Sequence, residues 1–181
     1  LYNSVDGVIL LSSNEGWGLS LTEALLTGTP FIANVTGGMQ DQMRFTDNKG
    51  EWFNPSKELP SNHRGTLKSH GEWAFPVFPN NRSLVGSVPT PYIWDDRCDP
   101  EDAAKQIKNL YELSDKERKR RGLEGLKWAK SDEAGFTSTK MSQRIINSIN
   151  NLFDTWEPRE RFELVEDTDF EPRKLKHKLI Y

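Results

Sequence analysis

The first part of the chain contains a short apolar run, then closely spaced glycines, then an amphipathic segment. The apolar run covers residues 5–12. Such a nearly continuous run predicts a strand, at residues 8–11, that is buried on both faces of a parallel sheet. Gly16 and Gly18 come next, and the segment after them predicts a helix. A strand, a glycine loop and a helix in this order predict an α/β fold.

Two carboxylates flank the glycine loop. Glu15 precedes it, and Glu23 lies eight residues later, more than a turn inside the predicted helix. Free N–H groups at a helix start attract phosphate, and Gly16 and Gly18 let the backbone approach it closely. Carboxylates accept hydrogen bonds from sugar and ribose hydroxyls. The pattern therefore predicts a sugar-nucleotide site, the alternative being two ordinary surface glutamates.

The following residues extend the pattern. Thr29 and Pro30 turn into the apolar residues 31–33, and Gly37-Gly38 follows. The ordered set resembles the C-terminal nucleotide-binding domain of retaining GT-B glycosyltransferases, the glycogen-synthase-like group known as family 4. That group has a strand, E-G-x-G-x-x-x-x-E-A, a short helix, a G-x-P turn and a G-G loop. The resemblance covers residues 6–42 strongly and residues 99–153 in pattern only.

This resemblance implies a partial Rossmann-like domain with parallel strands and flanking helices. It places Glu15 against the donor sugar as the catalytic residue, which orients the sugar and does not attack it, and Glu23 against the ribose. The implied donor-binding residues are Gly16, Trp17, Gly18, Leu19, Ser20, Glu23, Gly37 and Gly38. Asp41 stands where the family often has a glutamate. The implied ligand is a nucleotide-sugar donor, with no metal and no other cofactor.

The chain begins at Leu1 and enters the resemblance at the fourth strand of the family's domain. We therefore expect a fragment that lacks the acceptor-binding N-terminal GT-B domain and the basic residues that meet the diphosphate, and that is inactive alone. An apolar strand with an open edge is a template for pairing with another chain. Residues 8–11 thus predict a homodimer, or aggregation, through that strand.

Residues 45–98 form a long insert that is rich in tryptophan and proline and shows no sustained helix or strand periodicity. The family needs only a short turn and one strand here. One hypothesis is a lid or acceptor-facing surface, with tryptophans stacking on sugar rings and polar residues offering hydrogen bonds. The alternative is that the aromatic residues pack a small core beneath the loop. The residues concerned are Trp52, Trp73, Trp94, Asn80, Asn81 and Arg82.

Three acidic residues at the end of the insert allow two interpretations, a metal site or a helix cap. Asp95, Asp96 and Asp99 are similar to the acidic metal motif of the other large glycosyltransferase fold. However, Asp99 is followed by Pro100 and two acids, which is typical of a helix N-terminus. We favour the helix cap and predict no metal, with the last strand of the sheet at residues 92–94. His63, His70 and Cys98 match no common metal-site spacing.

The C-terminal part predicts three packing helices. The first follows Asp99, the second begins at the capping-box pair Ser114 and Glu117 and ends near Lys130, and the third covers residues 138–153. The apolar positions are Ala103, Ala104, Ile107, Leu110 and Tyr111 in the first, and Met141, Ile145, Ile149 and Leu152 in the third. We expect a donor-binding domain at residues 1–153 and a tail at 154–181. The tail either crosses back onto the N-terminal domain, as in the family, or is disordered.

Charge and composition narrow the function classes. A formal net charge of −3 argues against nucleic-acid binding. The single cysteine is compatible with a reducing compartment, and no apolar run is long enough to span a bilayer. We expect a cytoplasmic enzyme that transfers a sugar to a carbohydrate, lipid or protein acceptor. The alternatives are a GT-B-fold sugar-nucleotide epimerase and a non-catalytic carbohydrate-binding or interaction module based on the insert.

Overall fold

The computed structural model describes residues 1–53, 65 and 67–158. A 3-10 turn at Tyr2–Ser4 precedes the regular elements. In chain order these elements are β1 Val8–Leu10, α1 Leu19–Thr27, β2 Phe31–Asn34, α2 Gly37–Asp41, β3 Ala74–Val77, β4 Pro79–Ser87, β5 Thr90–Cys98, α3 Pro100–Tyr111, α4 Asp115–Lys130 and α5 Ser138–Thr155. His63 and residues 159–181 lie outside the described part.

A parallel sheet with the order β1-β2-β3 organises the fold. Phe31 of β2 lies opposite Val8 on one side and opposite Ala74 on the other. All four residues of β2 are buried, since successive side chains pack into cores on opposite faces of the sheet. The predicted α/β fold, with parallel strands and flanking helices, is confirmed.

The strand predicted at residues 8–11 forms, but it is not buried on both faces. Ile9 is 49% exposed, and the neighbouring residues of β1 are half-buried. Within the described residues β1 pairs only with β2, so it is an edge strand. The strand that is buried on both faces is β2. The open edge is present as expected, and the homodimer through it stays a prediction.

Two apolar cores flank the sheet. Leu21, Leu25 and Trp128 from α1 and α4 pack on one side with Phe31 and other sheet residues. Ala103 and Leu110 of α3 pack on the other with Ile32, Phe75 and Val77. Helices α3 and α4 start at the predicted caps. Asp99 Oδ1 accepts from Glu101 N at the start of α3, and Ser114 Oγ accepts from Glu117 N at the start of α4. In α3, however, Ile107 and Tyr111 are exposed, so only part of the predicted apolar set packs.

The insert contains three strands, of which the sequence predicted only a short part of β5, at residues 92–94. β3 joins the parallel sheet, and β4 and β5 form an antiparallel hairpin. Residues 92–94 form a strand as predicted, but it pairs with β4 in the hairpin, so its placement as the last strand of the parallel sheet is wrong. In β3 the strand pattern is obscured by Pro76. In the hairpin, Leu84 pairs with Trp94 and the next pair is Val85 with Ile93, so both faces carry apolar residues. The alternation that marks a strand with one buried face is therefore lost.

The chain divides into two units, residues 1–144 and 145–181. The described part of the second unit is the C-terminal portion of α5 with the three residues after it, and its Ile145, Ile149 and Leu152 are each about half exposed. Across the described ranges, no helix is long and apolar enough to cross a membrane.

Candidate functional site

Two loops meet at the edge of the sheet where the parallel strands end. The first runs from the end of β1 to α1 and carries Glu15, and the second connects β2 to α2. Ligands in open α/β sheets bind outside this carboxyl edge. The first loop, with the start of α1, is the candidate site.

The backbone of the first loop is in direct contact with the start of α2. Gly38 N donates to Glu15 O at 3.2 Å. A Cβ on Gly37 would lie 2.2 Å from Glu15 O, and a Cβ on Gly38 would lie 2.4 Å from Gly16 O. No side chain fits at either position. Both glycines were predicted in a loop, but they are the first residues of the short helix α2.

The start of α1 presents free backbone donors. Gly18 adopts a left-handed conformation with φ of 81° and caps the helix, which begins at Leu19. Leu21 N donates to Gly18 O, whereas within the described residues the amides of Leu19 and Ser20 have no acceptor. A Cβ on Gly16 would meet nothing within 4 Å. Two free amides at the positive end of a helix form a suitable anion site, and Gly16, close to them in sequence, borders open space.

A buried glutamine fixes this loop, and the sequence analysis missed it. Gln42 Nε2 donates to Trp17 O at 2.6 Å and to Gly18 O at 3.2 Å, and Gln42 Oε1 accepts from Thr22 Oγ1 at 2.7 Å. Trp17 Nε1 donates in turn to Thr22 Oγ1. This closed set of hydrogen bonds holds the glycine loop against the first turn of α1. Gln42 stands between Asp41 and Met43, and nothing in this local sequence signals its role.

The Trp17 ring serves packing. Its edge contacts the Phe136 ring at a centroid distance of 5.2 Å, and its only nitrogen is bonded to Thr22. Trp17 was predicted to bind the donor. Its ring contacts other protein residues, so only its backbone is part of the candidate site.

The two glutamates differ in their surroundings. The Glu15 side chain is half-buried and has no hydrogen-bond partner in the described part of the chain. Glu23 is exposed, and its Oε2 accepts from the Tyr2 hydroxyl at 2.6 Å. That hydrogen bond raises the pKa of Tyr2, so the phenol stays protonated and remains the donor. Tyr2 was not predicted from the sequence.

Asp41 is the last residue of α2 and is partly buried. Burial raises the pKa of its carboxyl to about 6. Burial disfavours the charged form of this carboxyl relative to an ordinary aspartate, and such a shift occurs in both functional and structural acids.

Two tryptophans of the insert follow the packing alternative. Trp73 is 5% exposed and stacks on Trp128 at 5.0 Å, and Trp52 meets Trp128 edge-on at 5.4 Å. Trp73 belongs to the main core and Trp52 packs against it, so their rings contact protein. Trp94 is 57% exposed, and stacking of its ring on a sugar stays a prediction.

Two of the three acidic residues considered as a metal motif, Asp96 and Asp99, are engaged within the protein. Asp96 is buried, its Oδ1 accepts from Arg82 Nε at 2.8 Å, and its Oδ2 accepts from Thr36 Oγ1 at 2.8 Å. Asp96 N also donates to Ser13 O, which ties the hairpin to the first loop. Asp99 caps α3 and accepts from Asn80. The described residues contain no group of three His, Cys, Asp or Glu placed to hold a metal.

With this geometry in place, one comparison with known proteins is informative. A stretch of 114 residues, 63% of this chain, is 29% identical to a protein of Methanocaldococcus jannaschii. That protein is an uncharacterized glycosyltransferase. The chain covers 27% of that relative's length. No family model matches the sequence.

Proposed function

We propose that this chain is the donor-binding part of a retaining GT-B glycosyltransferase, which moves a sugar from a nucleotide-sugar to an acceptor. The observation that carries the proposal is the pair of free amides at Leu19 and Ser20, at the start of α1 and close in sequence to the open space at Gly16. The similarity to a glycosyltransferase supports the same assignment.

The diphosphate of the donor binds at the start of α1. The helix dipole and the free amides favour its negative charge, and that charge increases when the bond to the sugar breaks. The hydrogen bonds from Gln42 fix the loop before the ligand arrives, so little reorganisation accompanies the reaction.

The two glutamates bind the two rings of the donor. Glu15 lies in the loop before the helix and, with no protein partner in the described ranges, accepts from hydroxyls of the sugar and orients it. Glu23, one turn inside α1, accepts from the ribose hydroxyls. The proposed reaction uses no metal and no covalent intermediate on Glu15.

A sugar-nucleotide epimerase and a carbohydrate-binding module are the competing functions. The burial of Trp73 and the packing of Trp52 against the main core weigh against a module that binds sugars through these two tryptophans. An epimerase shares the nucleotide site, so only its product distinguishes it.

The test is turnover of UDP-, GDP- and ADP-sugars by the longest available form of the protein. Glu15→Gln is expected to lower turnover by about 100-fold, the effect of removing one positioning contact from a transition state. It should leave nucleoside diphosphate binding intact. Glu51→Gln, which changes an exposed glutamate outside the site, is the control.

Transfer or hydrolysis with retained anomeric configuration supports the proposal. Turnover that survives Glu15→Gln contradicts it, and so does inversion at the anomeric carbon. A product that differs from the substrate at one stereocentre identifies an epimerase instead.

A further inference from the structure

We propose that Tyr2 is a positioning residue for the nucleotide, which holds the carboxylate of Glu23 in the orientation that receives the ribose diol. This inference rests on the proposed function and adds a residue to the donor site that lies outside the glycine loop and α1.

The contact is direct and joins distant parts of the sequence. Tyr2 OH donates to Glu23 Oε2 at 2.6 Å, a short bond of the kind made to a charged acceptor. Glu23 is exposed, and a glutamate side chain on a helix surface otherwise samples several rotamers. The phenol therefore restricts Glu23 to the rotamers that reach it.

Tyr2 is itself held in place. Its backbone carbonyl accepts from Thr29 Oγ1 at 3.0 Å, and Tyr2 belongs to the 3-10 turn at Tyr2–Ser4. Thr29 is buried in the turn between α1 and β2. The segment that carries the phenol is thus anchored to the turn that directly follows α1, the helix that carries Glu23. The two side chains therefore keep their relative position.

The hydrogen bond leaves Glu23 able to bind a ligand. A carboxylate offers about four lone-pair positions, and Tyr2 occupies one of them on Oε2. Within the described residues no hydrogen bond reaches Oε1. Two adjacent ribose hydroxyls can then donate to the carboxylate while the phenol remains bonded to it.

The experiment compares two ligands that differ only in the ribose. UDP, GDP and ADP are titrated into the longest available form of the protein, and the nucleotide that binds is compared with its 2′,3′-dideoxy form. Tyr2→Phe removes the hydroxyl and keeps the ring. Tyr111→Phe is the matched control, because Tyr111 is 81% exposed and its hydroxyl has no partner among the described residues.

Tyr2→Phe is expected to weaken binding of the ribonucleotide by about 3- to 10-fold, the ordinary net effect of one hydrogen bond, because the Tyr2–Glu23 contact is exposed. Binding of the dideoxy form should stay unchanged. In Glu23→Ala, addition of Tyr2→Phe should have no further effect, because both substitutions remove the same interaction.

Three results overturn the inference. If Tyr2→Phe weakens both ligands equally, the residue acts through the fold and not through Glu23. If Glu23→Ala weakens binding but Tyr2→Phe does not, the donor site stands and Tyr2 has no part in it. If the wild-type protein binds none of the three nucleotides, the proposed function and the inference fail together.

Discussion

Gly38 lies against Gly16 so closely that a Cβ on Gly38 would stand 2.4 Å from the Gly16 carbonyl oxygen. The contact joins the start of α2 to the loop that carries Glu15. The other side of Gly16 is different, because a Cβ on Gly16 itself meets nothing within 4 Å. One glycine is therefore required by the protein's own packing, whereas the other borders open space.

Gly38→Ala is expected to destabilise the protein. The added methyl would overlap backbone atoms of both Gly16 and Trp17, so the start of α2 and the loop that carries Glu15 must move apart. Overpacking of this kind costs about 1–3 kcal/mol in the free energy of unfolding. Urea denaturation measures the loss, and nucleoside diphosphate binding should weaken with it.

Gly16→Ala is the matched substitution with the opposite expectation. Since the space around Gly16 is open, the free energy of unfolding should change by less than about 0.5 kcal/mol. The methyl group would occupy the space assigned to the donor, and binding should weaken by about tenfold or more, equivalent to about 1.4 kcal/mol. Unchanged binding in this variant would place the ligand elsewhere.

Gln42→Leu is expected to cost about 2–4 kcal/mol in the free energy of unfolding. It removes the donors to Trp17 O and Gly18 O and leaves buried polar groups without partners. Gln40→Leu is the matched control from the same helix. Gln40 is also buried, but its Oε1 has no partner in the described ranges, so an apolar replacement should be neutral or stabilising. Equal losses in the two variants would show that Gln42 acts through volume alone.

The pKa of Asp41 predicts a pH-dependent stability. In the folded state this carboxyl has a pKa of about 6, above its ordinary value of 3.8, so the folded state holds the proton more tightly. Its contribution is most favourable below pH 4 and is lost as the pH rises to about 6. Asp41→Asn should therefore stabilise the protein at pH 7 by about 1–3 kcal/mol.

Unfolding by urea at several pH values between 4 and 7 tests this expectation. The difference in stability between Asp41→Asn and the wild type should grow with pH and level off above pH 6. A difference that does not vary with pH would contradict the assignment of the shift to Asp41.

Asp99 is expected to act as a helix cap and not as a metal ligand. Asp99→Ala should lower the free energy of unfolding by about 1 kcal/mol, whereas Asp99→Asn should keep the bond from Glu101 N and most of the stability. Donor binding should be the same with and without a chelator. If donor binding required a divalent cation and the requirement disappeared in Asp99→Asn, Asp99 would be a metal ligand and not only a helix cap.

The parts of the fold that the sequence predicted correctly are those with local signals. The apolar runs of β1 and β2, the turn at Thr29-Pro30 and the caps Asp99 and Ser114 are each specified by neighbouring residues. β3 was missed because its strand identity comes from pairing with the distant Phe31. Pairing between distant segments leaves little trace in a local pattern.

The candidate site shows the same division. Its glycines and glutamates stand close together in the sequence, so their pattern was visible. Gln42 and Tyr2 reach the site only through the fold, by contacts with Trp17 and Glu23 respectively. Polar residues at these positions have no periodicity or spacing that reveals such contacts.

The most direct test of the account is a titration of the ¹⁵N-labelled protein with UDP, GDP and ADP, followed through its backbone amide resonances. The proposed diphosphate site predicts that one of these nucleotides shifts the amides of Leu19 and Ser20 most strongly, with smaller shifts at Gly16 and Gly18. Shifts confined to other parts of the protein, or no shifts from a folded sample, would contradict the assignment of a donor site at the start of α1.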